Sequence, residues 1–513
     1  MLRSALVIVG LMVVLGWPSL SMPFRGDEAL FALMARETSR GAVLYRDYWD
    51  ITNPGIFWFY RCGGTFFGFS EDGIRVFEWL YITSFIFIFT ALIRKTYQLP
   101  RLPLMPAILI GGAYYMAGYS NTSHLTKTEG LATFPLVLAM GLPFVVRSSN
   151  RVSWQWLFIA GIAGGIVILF KLLLVVCLSV CWGFWFFKCL SDSGWKSMVS
   201  SALVVGCGCL VVLAPAFAHF YSHGMMDTLV RTLVELPPQF LAEGERADFK
   251  RLAFSVRWFL EQYAPILALA ILGGCARWQQ RKDRVLVGFV LLIVSAFVVI
   301  LAQRLSWWSY HFLLLGGPIS VLAAYGWPAL QEWANARFRT PLTLIERSLS
   351  LYSAATLCLP AVTGGGNQVM QLASRRLGWS SQDRESCRAA TGNAYRLAKD
   401  EAEWLKQSQT KPGRIYVCGD PLIYWFSDRL PAVPISGWSL QMYPASVRNE
   451  VIESIRTQRP VHIFITTGNL GFEPLIAEKY TPILQILQDH YVLSHTSPTG
   501  KWYTLRDDVP LND

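Results

Sequence analysis

The sequence predicts a mainly α protein: a polytopic transmembrane helical bundle of about eleven spans, followed by a small α/β domain outside the cytoplasm. Three observations predict it. Of 513 residues, 53% are hydrophobic and 15% charged, against about a quarter charged in soluble domains, and the mean hydropathy is +0.37. The apolar residues come in blocks long enough to cross a bilayer, with Lys and Arg between alternate blocks. After about residue 363 the blocks stop and charges return. This balance excludes an ordinary cytosolic enzyme, a disordered chain and a disulfide scaffold.

A membrane helix needs roughly 17–25 apolar residues. Such stretches lie at about 4–20, 76–93, 103–119, 130–146, 154–170, 172–187, 198–218, 259–275, 285–302, 311–328 and 348–362. The first has a basic start, an apolar middle and small residues at Ser19 and Ser21, so it reads equally as a retained helix or a cleaved signal peptide. Arg3, Arg94, Lys95, Arg101, Arg147, Arg151, Lys188, Lys196, Arg277, Arg281, Lys282, Arg284, Arg337 and Arg339 all fall in alternate connections. Basic residues in short loops prefer the cytoplasm. With the first span retained, the N-terminus is expected in the cytoplasm and the region after 363 outside, in an inner (plasma) membrane of bacterial type. The net charge of +11 is then chiefly a topology signal, and nucleic acid is not an expected partner.

The expected domains are 1–362 in the membrane, with a first outward loop at 21–75, and 363–513 as the soluble domain. Gly364, Gly365 and Gly366 mark the linker. Arg414–Val417 and Val461–Ile465 read as strands, between helices around 386–407, 445–457 and 473–490. Cys387 and Cys418 lie in this domain, where an oxidising compartment permits a disulfide. The other cysteines in or beside spans read as small core residues.

The first outward loop holds the candidate chemistry. Asp27 and Glu28 directly follow the first span, at the membrane–water boundary. A carboxylate there reaches both a lipid-borne substrate and water, which suits a general base. Ala29, Leu30, Ala32, Leu33 and Met34 read as an amphipathic helix lying in the interface. Capping of that helix by the two acids is the plainer alternative.

The ordered set Asp27-Glu28, Gly41 through Asp47, Asn53-Pro54-Gly55, Phe67-Gly68 and Arg75 resembles the first loop and second helix of the GT-C glycosyltransferases. The nearest branch is that of the protein O-mannosyltransferases and the lipid A aminoarabinose transferase. Glu129, in His124 through Gly130, is similar to the family's second acidic residue. Gly161, Gly164, Gly165 and Lys171 resemble its glycine-rich helix ending in Lys, and Gln303 through Phe312 with Pro318 resembles a later outward loop. The run Arg414 to Pro421 resembles the outer domain of bacterial members. Read without the family, Lys171 is a snorkelling charge and Trp307, Trp308 and Tyr310 an interfacial belt.

The resemblance implies an inverting glycosyltransferase that moves a sugar from a polyprenyl-phosphate donor to a glycan, lipid or protein acceptor on the outer side. Asp27 would be the base, with Glu28 beside it. Lys171, Arg304, His311 and Asn53 would meet the donor phosphate, and Glu129, Asp47 and Asp50 would orient the acceptor or supply a second acid. Close relatives carry Lys or His where this chain has Asn53, and an amide can hydrogen-bond a phosphate but not neutralise it. No cofactor is implied. A divalent cation held by Glu28 and Glu129 has no independent support, because the chain has no HExxH, no paired CxxC and no phosphate-binding GxxxxGKS/T. A polytopic lipid or glycan transporter or flippase is the alternative. Transporters often show duplicated halves and midplane charges, whereas here no repeat is visible and the acids lie at the outer boundary.

Overall fold

The computed structural model describes residues 2–146, 154–243, 248–278, 284–304, 307–338, 380–391, 393–407, 411–467 and 472–509. Its helices up to residue 338 are α1 (Leu2–Gly16), α2 (Asp27–Ser39), α3 (Pro54–Phe67), α4 (Glu71–Thr96), α5 (Gly112–Ser120), α6 (Thr128–Val146), α7 (Trp154–Phe170), α8 (Val175–Ser222), α9 (Met226–Val230), α10 (Leu236–Glu243), α11 (Phe249–Trp278), α12 (Arg284–Ala302) and α13 (Leu313–Phe338). The chain divides into two compact units. One comprises Met1–Met22, Asp72–His219 and Ala247–Cys387, the other Pro23–Glu71, Phe220–Arg246 and Arg388–Asp513.

The first unit is the helical bundle. Each apolar stretch expected between 4 and 328 coincides with helix, the one at 103–119 with a π-helical turn at Ala107–Gly111 running into α5. The stretches 172–187 and 198–218 lie on either side of a break in α8 at Gly194. The stretch at 348–362 and the glycine linker lie outside the described residues. Among the described residues six helical segments are long and apolar enough to cross a membrane: Leu2–Ser21, Glu71–Thr96, Leu172–Ser222, Phe249–Trp278, Arg284–Ala302 and Ser309–Arg337. The chain is an integral membrane protein. Helix α13 is the central one, buried from Leu313 to Leu330 apart from Gly317, and packed against α11, α6 and α12. On α12, Val290, Val294 and Val298 recur every four residues and point outward, as a lipid-facing stripe requires.

The second unit joins the first loop to the C-terminal region. Strands β1 (Ile415–Cys418), β2 (His462–Thr466), β3 (Tyr491–Thr496) and β4 (Gly500–Leu505) form one sheet in the order β1-β2-β4-β3. The pair β1–β2 is parallel, with Ile415 opposite His462, and the other pairings are antiparallel. The two strands and intervening helices read from the sequence are present, and the β3–β4 hairpin extends them. The helix expected over 473–490 is two, Glu473–Lys479 and Thr481–His490, because Pro482 opens the second and cannot continue the first. Neither Cys387 nor Cys418 is in a disulfide.

Two further differences concern the first loop. Helix α2 is not an amphipathic interfacial helix: Glu28 through Ala35 are buried without a break, covered by α3 and the helix Leu422–Ser427. Between them, α3 starts at Pro54, whose missing N–H costs nothing in a first turn. Backbone and buried side chains fasten the loop to the C-terminal region. The Trp49 N–H donates to Pro434 O (2.9 Å) in a bridge that pairs Trp49 with Ile435, and the Trp49 indole donates to Thr232 Oγ1 at 2.9 Å. Glu71, 5% exposed, accepts the Phe24 N–H (2.7 Å) and the Tyr395 hydroxyl (3.1 Å), with Arg388 Nε 3.1 Å away.

Candidate functional site

In the second unit, Asp27 and Glu28 open α2 and have different surroundings. Glu28 is fully buried, and its Oε2 accepts at 3.1 Å the N–H of Arg25, the residue before the N-cap. Asp27 is partly exposed, and its Oδ1 accepts the Trp438 indole N–H at 2.6 Å. Gly26 precedes them at φ +39°, a backbone that side-chain-bearing residues rarely adopt.

Two further carboxyls respond to the Asp27 charge. Asp50 is buried and accepts from the Thr52 N–H (2.9 Å) and the Thr52 hydroxyl. Burial pushes its carboxyl up to about 6, and Asp27 adds to the rise. Asp420, in the turn after β1, accepts from the Leu422 N–H at 3.0 Å. Burial and then Asp27 push it up to about 6 as well, against the N–H groups of Leu422 and Gly26. The Trp49–Ile435 bridge fixes the residue before Asp50, which is how a loop acid comes under the influence of Asp27.

Asp47 does other work. It accepts from the Val43 N–H (2.7 Å) and pairs with Arg46 through both oxygens (3.0 and 2.9 Å), and Arg46 holds its carboxyl below the usual range. It lines a cleft of about 470 Å³ together with Arg40, Arg46, Tyr48, Arg414 and Gln458. Asn53 occupies the N-cap position of α3 but makes no capping bond, and its Nδ2 is a buried donor without a partner among the described residues.

In the first unit, Glu129, Lys171 and His311 converge. Lys171 is extended (φ −161°, ψ 108°) between α7 and a short turn, so its side chain leaves the helix end. Its Nζ donates to Glu129 Oε1 at 2.5 Å and to Gln303 Oε1 at 2.6 Å. His311 Nδ1 lies 2.9 Å from the same Glu129 oxygen. The loops that carry these residues are tied together: His124 Nε2 is 2.8 Å from Ser309 Oγ, and the Lys127 ammonium lies over the Tyr310 ring. Beneath them a buried network holds the turn before α6. Glu78 Oε1 accepts the Thr126 N–H (2.8 Å) and the Tyr114 hydroxyl, and Arg75 lies 3.3 Å from Glu78 Oε2. Arg304 is exposed in the turn after α12.

Of the residues expected from the sequence, the structure thus gathers Glu129, Lys171 and His311 in one cluster, and the Asp27 charge helps raise the Asp50 carboxyl. Glu28 and Asp47 are engaged by local backbone. Trp438, Gln303, Glu78 and Asp420 were not among the expected site residues. Only Asp420 and Gln303 had a sequence signal, through the runs that contain them. Among the described residues no three His, Cys, Asp or Glu side chains are grouped so as to hold a metal ion.

No protein-family model and no curated protein matches the chain. Among solved structures it is similar to ArnT from Cupriavidus metallidurans bound to undecaprenyl phosphate, with a TM-score of 0.61 and 13% identity over 98% of both chains. It is likewise similar to the same protein in the apo state, with a TM-score of 0.57 and 14% identity over 97% of both chains. Along nearly its whole length, then, the chain has the fold of ArnT: a polytopic helical bundle with a small α/β region at its C-terminal end.

Proposed function

We propose that the protein is a membrane glycosyltransferase that takes a sugar from a polyprenyl-phosphate donor and transfers it to an acceptor on the outer side of an inner membrane. The observation that carries this reading is a shared fold with a protein crystallised with undecaprenyl phosphate, combined with a buried Lys171–Glu129–His311 cluster. The Lys171 ammonium and the His311 ring are donors suited to an anionic phosphate. Arg304 adds a planar donor at an exposed turn.

In the proposed reaction Asp27 removes the proton of an acceptor hydroxyl as its oxygen attacks the anomeric carbon. The bond from that carbon to the phosphate oxygen breaks, and its electron pair leaves with polyprenyl phosphate. One displacement inverts the anomeric centre. Cation pairing makes the phosphate a sufficient leaving group, so no general acid is required. The cleft beside Asp47, with three arginines and Tyr48, supports acceptor binding by the first loop and C-terminal region.

The test uses purified protein in nanodiscs, undecaprenyl-phosphate-linked aminoarabinose or mannose as donor, and cell-envelope extract as acceptor. Released undecaprenyl phosphate is measured by mass spectrometry. Asp27→Asn keeps size and hydrogen bonding but removes the base, and is expected to abolish release while the protein still inserts. Full release by that variant overturns the mechanism. Movement of intact donor across the bilayer without release supports a flippase instead.

A further inference from the structure

We infer that Trp438, supplied by the C-terminal region, is a positioning residue for Asp27: its indole N–H locks one oxygen of that carboxylate and so fixes the direction in which the other accepts a proton. This rests on the proposed role of Asp27 as base.

The contact is built from both sides. The Trp438 Nε1–H donates to Asp27 Oδ1 at 2.6 Å. The same ring covers Gly26, where a Cβ would stand 2.3 Å from Trp438 Cζ2. Any other residue at 26 therefore displaces the indole, so the glycine before the acid and the tryptophan over it are matched. On the far side, Gly437 is pressed against β1, where a Cβ would meet Val417 O at 2.1 Å. The Trp438 N–H donates to Ser436 Oγ (3.2 Å), and the Tyr443 hydroxyl donates to Ser436 O (2.9 Å). The indole is thus anchored to the sheet before it reaches the acid.

The choice of side chain has a chemical consequence. An indole N–H donates and cannot accept, so it cannot take the proton that the base removes. Asp27 is the first residue of its helix, and its side-chain rotamer sets where the carboxylate points. Holding that rotamer is the positioning that catalysis by proximity requires.

Three variants are compared in the nanodisc assay: Trp438→Phe, which keeps an aromatic ring but lacks the N–H, Trp438→His, which restores a ring N–H, and Asp27→Asn. Trp438→Phe is expected to lower kcat by about ten- to a hundredfold, the range set by one hydrogen bond to a charged group, with KM for the donor unchanged. Trp438→His is expected to recover part of that loss. If Trp438→Phe keeps kcat within twofold, or if Trp438→His is as slow as Trp438→Phe with equal thermal stability, the inference fails while the role of Asp27 stands. If Asp27→Asn is active, the proposed function itself fails.

Discussion

Lys171 and Glu129 form a pair 2.5 Å apart, with His311 Nδ1 2.9 Å from the same carboxylate oxygen and the Gln303 amide oxygen completing the contacts of the ammonium. A lysine at the end of a long apolar helix could equally have snorkelled to the surface as an isolated charge. Here it is held instead, with about a fifth of its side chain exposed.

That arrangement predicts the effect of removing the cation. Lys171→Ala is expected to weaken binding of undecaprenyl phosphate by about tenfold or more, as the loss of one charge-assisted contact does, and Lys171→Arg to retain most of it. Binding to the detergent-purified protein can be followed by native mass spectrometry. An unchanged affinity in Lys171→Ala would remove the residue from the donor site.

The network beneath Glu129 predicts a stability effect. Arg75 and Glu78 are both fully buried, and Glu78 also receives Tyr114 and the Thr126 N–H. Deleting one partner of a buried pair leaves an uncompensated charge and costs about 3–5 kcal/mol. Glu78→Ala should therefore unfold at markedly lower denaturant in detergent. It should also lose affinity for undecaprenyl phosphate, because Thr126 (φ +48°) leads directly into the turn that presents Glu129. A variant as stable as the parent would mean that the network is not what holds this turn.

Much of the bundle was legible because a bilayer imposes its own grammar: apolar blocks of spanning length, ended by basic residues, give α7 and α12 almost to the residue. Asp27 and Lys171 were legible for the same reason, since a charge at the edge of such a block stands out. Helix α2 was misjudged because its acidic start and apolar run fit an interfacial helix as well as a buried one. Only the cover provided by α3 and Leu422–Ser427, remote in sequence, decides between them. Trp438 lies 411 residues from Asp27, and no periodicity or spacing could join them. Glu71 and Glu78 were not singled out in the sequence, because their partners, Phe24, Tyr395, Thr126 and Tyr114, come from other segments.

The acids around Asp27 predict a pH dependence of stability. Asp50 is buried and titrates at about 6 in the folded protein, against about 3.9 in an unfolded chain. The folded state therefore binds its proton more tightly than the unfolded state. Its stabilising contribution is complete below about pH 4 and is lost as pH rises through 6, a change of at most about 3 kcal/mol. Asp420 shifts in the same direction and for the same reason, though it is partly exposed and its effect is smaller. Asp50→Asn keeps an acceptor for the Thr52 N–H and carries no charge at any pH. It is expected to melt above the parent at pH 7.5 and level with it at pH 3.5, in scans of the detergent-purified protein. Asp27→Asn should raise the melting temperature at pH 7.5 as well, because it removes the charge that helps push Asp50 up, so the base would be kept at a cost in stability. An equal melting difference between Asp50→Asn and the parent at both pH values would show that Asp50 is not titrating in this range.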